Sequence, residues 1–129
     1  MSTSKKIINT ANAPAPIGPY NQAVKAGTTL YVSGQIALSP HTGDLVEGSV
    51  ADEARQVLDN LSAILAEAGY AFTDVVKTTI FLRDMGDFAT VNDVYGTYFT
   101  EQAPARETVA VAGLPKNVNV EISVIAWKA

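Results

Sequence analysis

The sequence predicts an α+β protein in which two helices cover one face of a mixed β-sheet. Residues 49–68 and 88–100 repeat apolar side chains at three- and four-residue spacing, which is typical of amphipathic helices. The stretches around them alternate in polarity or are rich in β-branched residues, as strands are. Strands outnumber helices and do not alternate with them regularly, which favours α+β over a parallel α/β sheet. The length of 129 residues suits one domain spanning residues 1–129.

Composition excludes several classes of function. The chain has no cysteine, which excludes disulfides, thiolate metal sites and a cysteine nucleophile. Its single histidine, His41, lies in a turn-like segment, so we expect no metal site and no Ser-His-Asp triad. A net charge of −4 argues against nucleic-acid binding, which depends on phosphate neutralisation. Because no apolar run suits a membrane span or a signal peptide, we expect a cytoplasmic protein without a membrane partner.

The amino-terminal part predicts a short strand, a rigid loop and a hairpin. Residues 5–9 suit an edge strand. Ala11–Tyr20 contains three prolines and a glycine, so it is neither a helix nor a central strand. It is either a rigid surface connection or a pocket wall that presents Tyr20. Residues 22–36 predict a hairpin, in which Gly34 indicates a bulge or a close approach to the backbone.

The clearest helix spans residues 49–68. Ser49 suits the N-cap, Asp52 the capping-box position and Gly69 the C′ position. The single apolar stripe needs one surface to cover, which we expect to be the sheet. Its charged residues predict a solvated face without a function: Asp52, Glu53, Arg55, Asp59 and Glu67.

The second half begins with a predicted central strand at residues 75–82, which is rich in β-branched residues and has no breaker. Asp87 is the predicted N-cap of the helix over residues 88–100. Asn92 falls on the buried face of this helix. Its side chain either bonds to nearby backbone, which is the common case, or faces a pocket.

The carboxyl-terminal stretch combines two predicted strands, joined by a turn at Gly113–Asn117, with two charges in unusual places. Arg106 opens the first strand and shares a face with Thr108, while Glu121 lies among apolar residues of the second. Buried charges are costly unless they are paired or used. Two interpretations stay open. Arg106 and Glu121 form an ordinary ion pair between adjacent strands, or the guanidinium grips a small carboxylate while the glutamate orients a water or moves a proton.

The sheet face turned away from the helices is predicted to be partly apolar. An uncovered apolar face usually finds a partner, so we expect a homo-oligomer. The residues expected on this face are Val75, Phe81, Val109, Val111 and Ile125.

Several short motifs occur in a fixed order along almost the whole chain. They are Ala15-Pro-Ile-Gly-Pro-Tyr20, Val32-Ser-Gly-Gln-Ile36, Val76-Lys-Thr-Thr-Ile-Phe-Leu82, Asp87-Phe-Ala-Thr-Val-Asn92, Pro104-Ala-Arg106, Gly113-Leu-Pro115 and Val120-Glu-Ile122. Each motif is weak by itself, but their shared order and spacing are specific. The chain resembles the RidA family (YjgF/YER057c/UK114).

The resemblance implies a chorismate-mutase-like fold, a homotrimer with clefts between subunits, and no cofactor or metal. It implies hydrolysis of reactive enamines and imines, such as 2-aminoacrylate, 2-iminopropanoate and 2-iminobutanoate, to 2-oxo acids and ammonia. Arg106 would hold the substrate carboxylate and Glu121 would position the attacking water. The remaining site residues implied are Tyr20 and Asn92, which would line the cleft, and Ser33, Gly34 and Thr108, which would make backbone or short polar contacts.

The chain departs from the family pattern at two positions. Many members carry cysteine at the position of Thr108, so a thiol role is excluded here while a backbone contact is retained. Many members also carry arginine at the position of Gly113, where a change bears on the trimer contacts or the cleft rim.

Two other functions compete with hydrolysis. A non-catalytic sensor or protein-interaction module would use Arg106 as a carboxylate anchor without needing Glu121. A ribonuclease or translation inhibitor, as some relatives are described, is disfavoured by the acidic charge balance.

Overall fold

Six strands form one mixed sheet in the computed structural model, which describes residues 5–129. The strands are β1 (Lys6–Ile8), β2 (Ala23–Ala26), β3 (Thr29–Gln35), β4 (Val75–Leu82), β5 (Ala105–Ala110) and β6 (Val120–Trp127), in the order β1-β2-β3-β6-β4-β5. Only β4 and β5 pair in parallel among the described strands. With the helices α1 (Val50–Ala68) and α2 (Phe88–Tyr98), this arrangement confirms the predicted α+β class.

Both ends of α1 follow from local chemistry. The Ser49 hydroxyl accepts a hydrogen bond from the Asp52 amide at 3.1 Å, as an N-cap does. Gly69 adopts the left-handed conformation (φ 83°), and the Tyr70 amide then bonds to the Leu65 carbonyl at 2.9 Å. The predicted caps at Ser49 and Gly69 are therefore confirmed, whereas no bond from the Ser49 amide to the Asp52 side chain completes a capping box within residues 5–129. The Asp52 carboxylate accepts a bond from Arg55 at 2.7 Å.

The start of α2 differs from the prediction. The Asp84 carboxylate accepts a bond from the Gly86 amide at 2.8 Å and so caps a 3₁₀ turn, Met85–Asp87, that runs directly into the helix. Asp87 precedes α2 but makes no capping hydrogen bond with its side chain. The predicted N-cap at Asp87 is therefore wrong, because the capping site moves to the start of the 3₁₀ turn.

One apolar core lies between the helices and the sheet. Residues of both helices and of the central strands are buried in a single cluster, which includes Leu58, Leu61, Val91, Ile80 and Ile122. The two helices also contact each other. No helix in the described residues combines the length and the apolar character that crossing a bilayer requires.

The predicted solvated face of α1 has one exception, Glu53. Its side chain is buried, at 7% exposure. The carboxylate accepts bonds from the Asn119 amide and the Asn119 side chain, both at 2.8 Å, and from the Val120 amide at 3.3 Å. Assigning Glu53 to the solvent was wrong, because this carboxylate fixes the start of β6.

The sheet face opposite the helices, here called the open face, is apolar and uncovered in the single chain. Val76, Val109 and Trp127 on this face are between 43% and 51% exposed. Phe81 and Ile125 lie on it as well, by strand alternation with buried neighbours. The prediction for Val75 was wrong: the β4–β6 register shifts between Val75 and Lys77, which turns Val75 into the core and Val76 outward.

Candidate functional site

A cavity of about 430 Å³ lies beside Glu121 at one end of the open face. Val120 and Ile122 point into the core, so Glu121 between them points to the open face. The cavity brings together four of the predicted site residues: Tyr20, Ser33, Gly34 and Glu121. The rest of its lining is largely apolar and comprises Pro14, Ala15, Ile17, Gln22, Gln35, Ile36, Leu38 and Pro115.

The Glu121 carboxylate occupies the space that a side chain at position 34 would fill. A Cβ built on Gly34 would lie 2.9 Å from the Glu121 Cδ and would overlap a carboxylate oxygen. The β3–β6 register is irregular between Val32 and Gln35, around this glycine. Both structural expectations for Gly34, a bulge and a close approach to the backbone, are confirmed.

Partial burial changes the acidity of Glu121. Desolvation disfavours the charged form, so burial raises the pKa of the Glu121 carboxyl above its usual value of 4.5. No salt bridge of Glu121 is found within residues 5–129. A carboxyl with a raised pKa and access to a cavity is suited to exchanging a proton with a bound water or ligand.

The proline-rich loop forms one wall of the cavity, as one of its two interpretations proposed. Pro14, Ala15, Ile17 and Tyr20 all line the cavity. At the base of the loop, the side chain of Gln22 is 1% exposed and bonds to the loop backbone. Gln22 was not identified from the sequence. A buried glutamine carries no periodic signal, and only its position directly after a proline loop points to it.

Ser33 faces the same cavity with its hydroxyl already engaged. The Ser33 Oγ donates to the Asn21 carbonyl at 2.6 Å, and its amide donates to the Gln22 carbonyl at 2.9 Å. These bonds join β3 to the end of the proline-rich loop. The hydroxyl oxygen can still accept a further hydrogen bond.

Arg106 is held by three side chains of α2. Its Nη1 donates to the Asn92 Oδ1 at 2.7 Å. Its guanidinium carbon lies 4.9 Å from the ring centre of Tyr95 and 5.6 Å from that of Phe88, within cation–π range. Asn92 therefore holds a charged side chain and not the nearby backbone. No sequence pattern signals the contact of Phe88 and Tyr95 with Arg106.

Thr108 lies on the same face of β5 as Arg106, as predicted. Its hydroxyl oxygen is buried and has no hydrogen-bond partner among residues 5–129. Buried polar atoms are usually satisfied, so the missing partner of this oxygen is an exception within the described residues.

Arg106 and Glu121 lie on opposite faces of the sheet. β4 separates their strands, so β5 and β6 are not neighbours. Arg106 is in register with Thr78, which is fully buried on the helix side, whereas Glu121 is in register with Phe81 on the open face. The interpretation of Arg106 and Glu121 as an ion pair between adjacent strands is therefore wrong. Within one chain, the two side chains therefore point away from each other across the sheet.

Nothing in the described part of the chain forms a metal site. Across residues 5–129, no three histidine, aspartate or glutamate side chains converge as metal ligands.

Comparisons with known proteins agree on one family, whose members carry different names. A family model described as endoribonuclease L-PSP matches residues 10–128. A RutC family protein of Pyrococcus horikoshii is 54% identical, over 96% of this chain and 98% of that protein. The mouse protein named 2-iminobutanoate/2-iminopropanoate deaminase is 53% identical, over 97% of this chain and 91% of the mouse protein. The crystal structure of E. coli TdcF with bound serine matches with a TM-score of 0.91 and 46% identity, over 96% of this chain and 99% of that one.

Proposed function

The chain belongs to the YjgF/RidA family, and from this membership we propose that it hydrolyses reactive 2-imino acids and their enamine tautomers to 2-oxo acids and ammonia. The mouse and human relatives named as deaminases of 2-iminobutanoate and 2-iminopropanoate support this reaction. The serine bound by E. coli TdcF supports a site for a small molecule with an α-carboxylate. The expected substrates are 2-aminoacrylate, 2-iminopropanoate and 2-iminobutanoate.

Arg106 anchors the substrate carboxylate. Only Nη1 of its guanidinium makes a hydrogen bond within residues 5–129, so the remaining N–H groups can form a two-point contact with a carboxylate. Asn92 and the rings of Phe88 and Tyr95 hold the guanidinium plane in place. A held guanidinium loses less freedom on binding, which favours affinity for a very small ligand.

Glu121 activates the water. As the water oxygen bonds to C2 of the imine, a proton of the water passes to the Glu121 carboxylate. Glu121 then gives this proton to the nitrogen, so the C=N bond becomes a C–N single bond and the nitrogen becomes an amine. The resulting carbinolamine then breaks its C–N bond, the nitrogen gains a further proton and the hydroxyl loses one. The water oxygen ends on C2 and both of its protons end on ammonia, so no oxidant or cofactor is consumed.

The site is completed by a second copy of the chain. Because Arg106 and Glu121 lie on opposite faces of the sheet, each cleft combines the Arg106 side of one subunit with the Glu121 cavity of another. The apolar open face, with Val76, Val109 and Trp127 exposed, supplies a surface for such contacts. The assembly proposed is the homotrimer of a chorismate-mutase-like fold, in which a head-to-tail interface closes into a ring.

The other site residues shape the cleft. Tyr20 closes the side formed by the proline-rich loop, and Ser33 offers an acceptor at its base. Gly34 leaves room for the Glu121 carboxylate. Thr108, beside Arg106, contributes a hydroxyl that lacks a partner among the described residues.

The observation that carries the proposal is that one chain presents two separate half-sites: a partly buried carboxylate in a cavity, and a held guanidinium on the other sheet face. The test couples a threonine or serine dehydratase to this protein and follows 2-oxo acid formation. We expect the parent to accelerate imine loss and Arg106→Ala to abolish the acceleration. Arg55→Ala, which removes an exposed arginine on α1, is the matched control.

A parent protein that adds nothing to the rate in buffer, for several imino acids, contradicts the catalytic proposal. Binding of small carboxylates without turnover would then identify the alternative, a sensor that uses the same cleft. Cleavage of RNA by the parent, unaffected by Arg106→Ala, would instead support the activity that the family description names.

A further inference from the structure

Gln22 joins the proline-rich loop to the sheet through an unusually dense set of hydrogen bonds. Its Nε2 donates to the carbonyl oxygens of Thr10, Ala13 and Pro14 at 3.0, 3.2 and 2.8 Å. Its Oε1 accepts from the Thr10 amide at 2.6 Å. The main-chain amide of Gln22 donates to the exposed Asn9 side chain at 3.0 Å. The buried amide thus contacts four backbone groups of the loop base, and its two N–H groups are shared among three carbonyl oxygens.

The part of the loop beyond this base has no comparable attachment. Among the described residues, the hydrogen bonds of Ala15–Tyr20 run within the segment: the Tyr20 amide to the Gly18 carbonyl at 2.8 Å, and the Ile17 amide to the Tyr20 hydroxyl at 3.4 Å. Prolines make this segment stiff. Gln22 holds the Pro14 end of this segment, and the bond from Ser33 to the Asn21 carbonyl holds the other end. Because the segment is stiff, a change at the Pro14 end shifts the whole cavity wall, so Gln22 helps to set where the wall lies.

We propose that Gln22 is a positioning residue for hydrolysis: its amide sets the place of the Pro14–Tyr20 wall, and so the fit of the substrate against Glu121. This inference rests on the proposed function. Gln22 acts through the wall and through Tyr20, because its own side-chain donors are occupied by the loop carbonyls.

The chemistry requires an amide at this position. Three carbonyl oxygens face Nε2, and they need a donor. Glutamate has almost the same shape, but its carboxylate has no hydrogen to donate and would repel the same carbonyls. A buried carbonyl that loses its donor is destabilised, so the wall is expected to move away from residue 22. Protonation of the introduced carboxylate supplies one donor and restores part of the contact.

The test compares Gln22→Glu with the parent in the dehydratase-coupled assay. At neutral pH we expect KM to rise about tenfold, equivalent to about 1.4 kcal/mol, with kcat changed less than KM. The ratio of variant KM to parent KM should fall as the pH is lowered through the titration of the introduced carboxyl, whereas a general loss of structure would not be reversed by acid. An unchanged KM, or a raised KM ratio that does not respond to pH, overturns the inference.

A second variant and a second readout keep the test decisive. Asn9→Ala removes the exposed side chain that accepts a hydrogen bond from the Gln22 main-chain amide. This variant should also raise KM, by a smaller factor than Gln22→Glu. A parent-like KM in both folded variants overturns the inference. Binding of 2-oxobutanoate, followed by NMR titration, should weaken in both variants. This readout does not depend on turnover. An inactive parent contradicts the proposed function, whereas parent-like affinity in Gln22→Glu contradicts the role of Gln22.

Discussion

The Glu121 carboxylate lies over Gly34, in space that any other residue at position 34 would occupy. The Glu121 Cδ is 2.9 Å from where a Cβ on Gly34 would stand. The irregular register of β3 and the absence of a side chain at position 34 together create the space that this carboxylate occupies. The position of the Glu121 carboxylate therefore depends on a glycine at position 34, although the two residues are far apart in sequence.

Gly34→Ala should abolish the proposed imine hydrolysis by moving Glu121. The new methyl group takes the space that the Glu121 carboxylate occupies and displaces it. A displacement of about 1 Å can lower the rate of reaction about a hundredfold. The crowding should also lower the free energy of unfolding by about 1–3 kcal/mol. Imine hydrolysis and urea unfolding measure the two effects.

Gly96→Ala is the matched control for that variant. Gly96 lies in α2, and a Cβ there meets nothing within 4 Å. We expect full activity and a gain in stability of about 0.5–1 kcal/mol, because alanine favours the helix. Retained activity in Gly34→Ala would show that hydrolysis does not require the Glu121 carboxylate to lie beside Gly34.

Glu121→Gln should remove activity and increase stability at neutral pH. Burial raises the pKa of Glu121, so between the usual value of 4.5 and the raised value the folded protein holds a proton that the unfolded chain has released. Stability therefore falls as the pH rises through this window and stays lowered above it. Glutamine is neutral throughout and avoids this loss.

Urea unfolding of the parent and of Glu121→Gln over a pH series measures the difference. The two proteins should converge below the window, with the variant more stable above it. A variant that is less stable than the parent at neutral pH would mean that partners stabilise the charged carboxylate by more than its burial costs.

Glu53→Ala should destabilise the protein by at least about 2 kcal/mol, because hydrogen bonds to charged groups are strong and their buried donors would be left without a partner. The bonds lost run to Asn119 and Val120, at the start of the strand that carries Glu121. Glu67→Ala, an exposed glutamate on the same helix, is the control and should change stability by less than about 0.5 kcal/mol. Equal effects of the two substitutions would contradict the role of Glu53.

Features determined by neighbouring residues could be predicted from the sequence. Ser49 and Gly69 bound α1 as expected, because caps depend on one side chain or one backbone conformation. Gly34 was correctly identified as a place of close approach, since a glycine within a strand often marks a bulge or a tight backbone contact. The wrong prediction of an N-cap at Asp87 missed by only three residues, because Asp84 caps the preceding 3₁₀ turn.

Features that depend on distant pairing could not be predicted. Glu53 meets its donors 66 residues along the chain, and helical periodicity carries no information about them. β5 pairs in parallel with β4 and not with β6, so the strands of Arg106 and Glu121 are separated although a single turn was expected to join them as neighbours. The opposite-face placement of the two charges follows from this topology, and only the structure reveals it.

The central claim, a cleft shared between subunits, is tested most directly by mixing two inactive variants. Arg106→Ala chains retain Glu121, and Glu121→Gln chains retain Arg106. Refolded together in equal amounts, they should regain about a quarter of the parent activity, because random assembly around a head-to-tail ring brings two intact halves together at about one interface in four. Each variant refolded alone is the control. A mixture that stays as inactive as its components, although native mass spectrometry shows mixed trimers, would contradict the shared cleft.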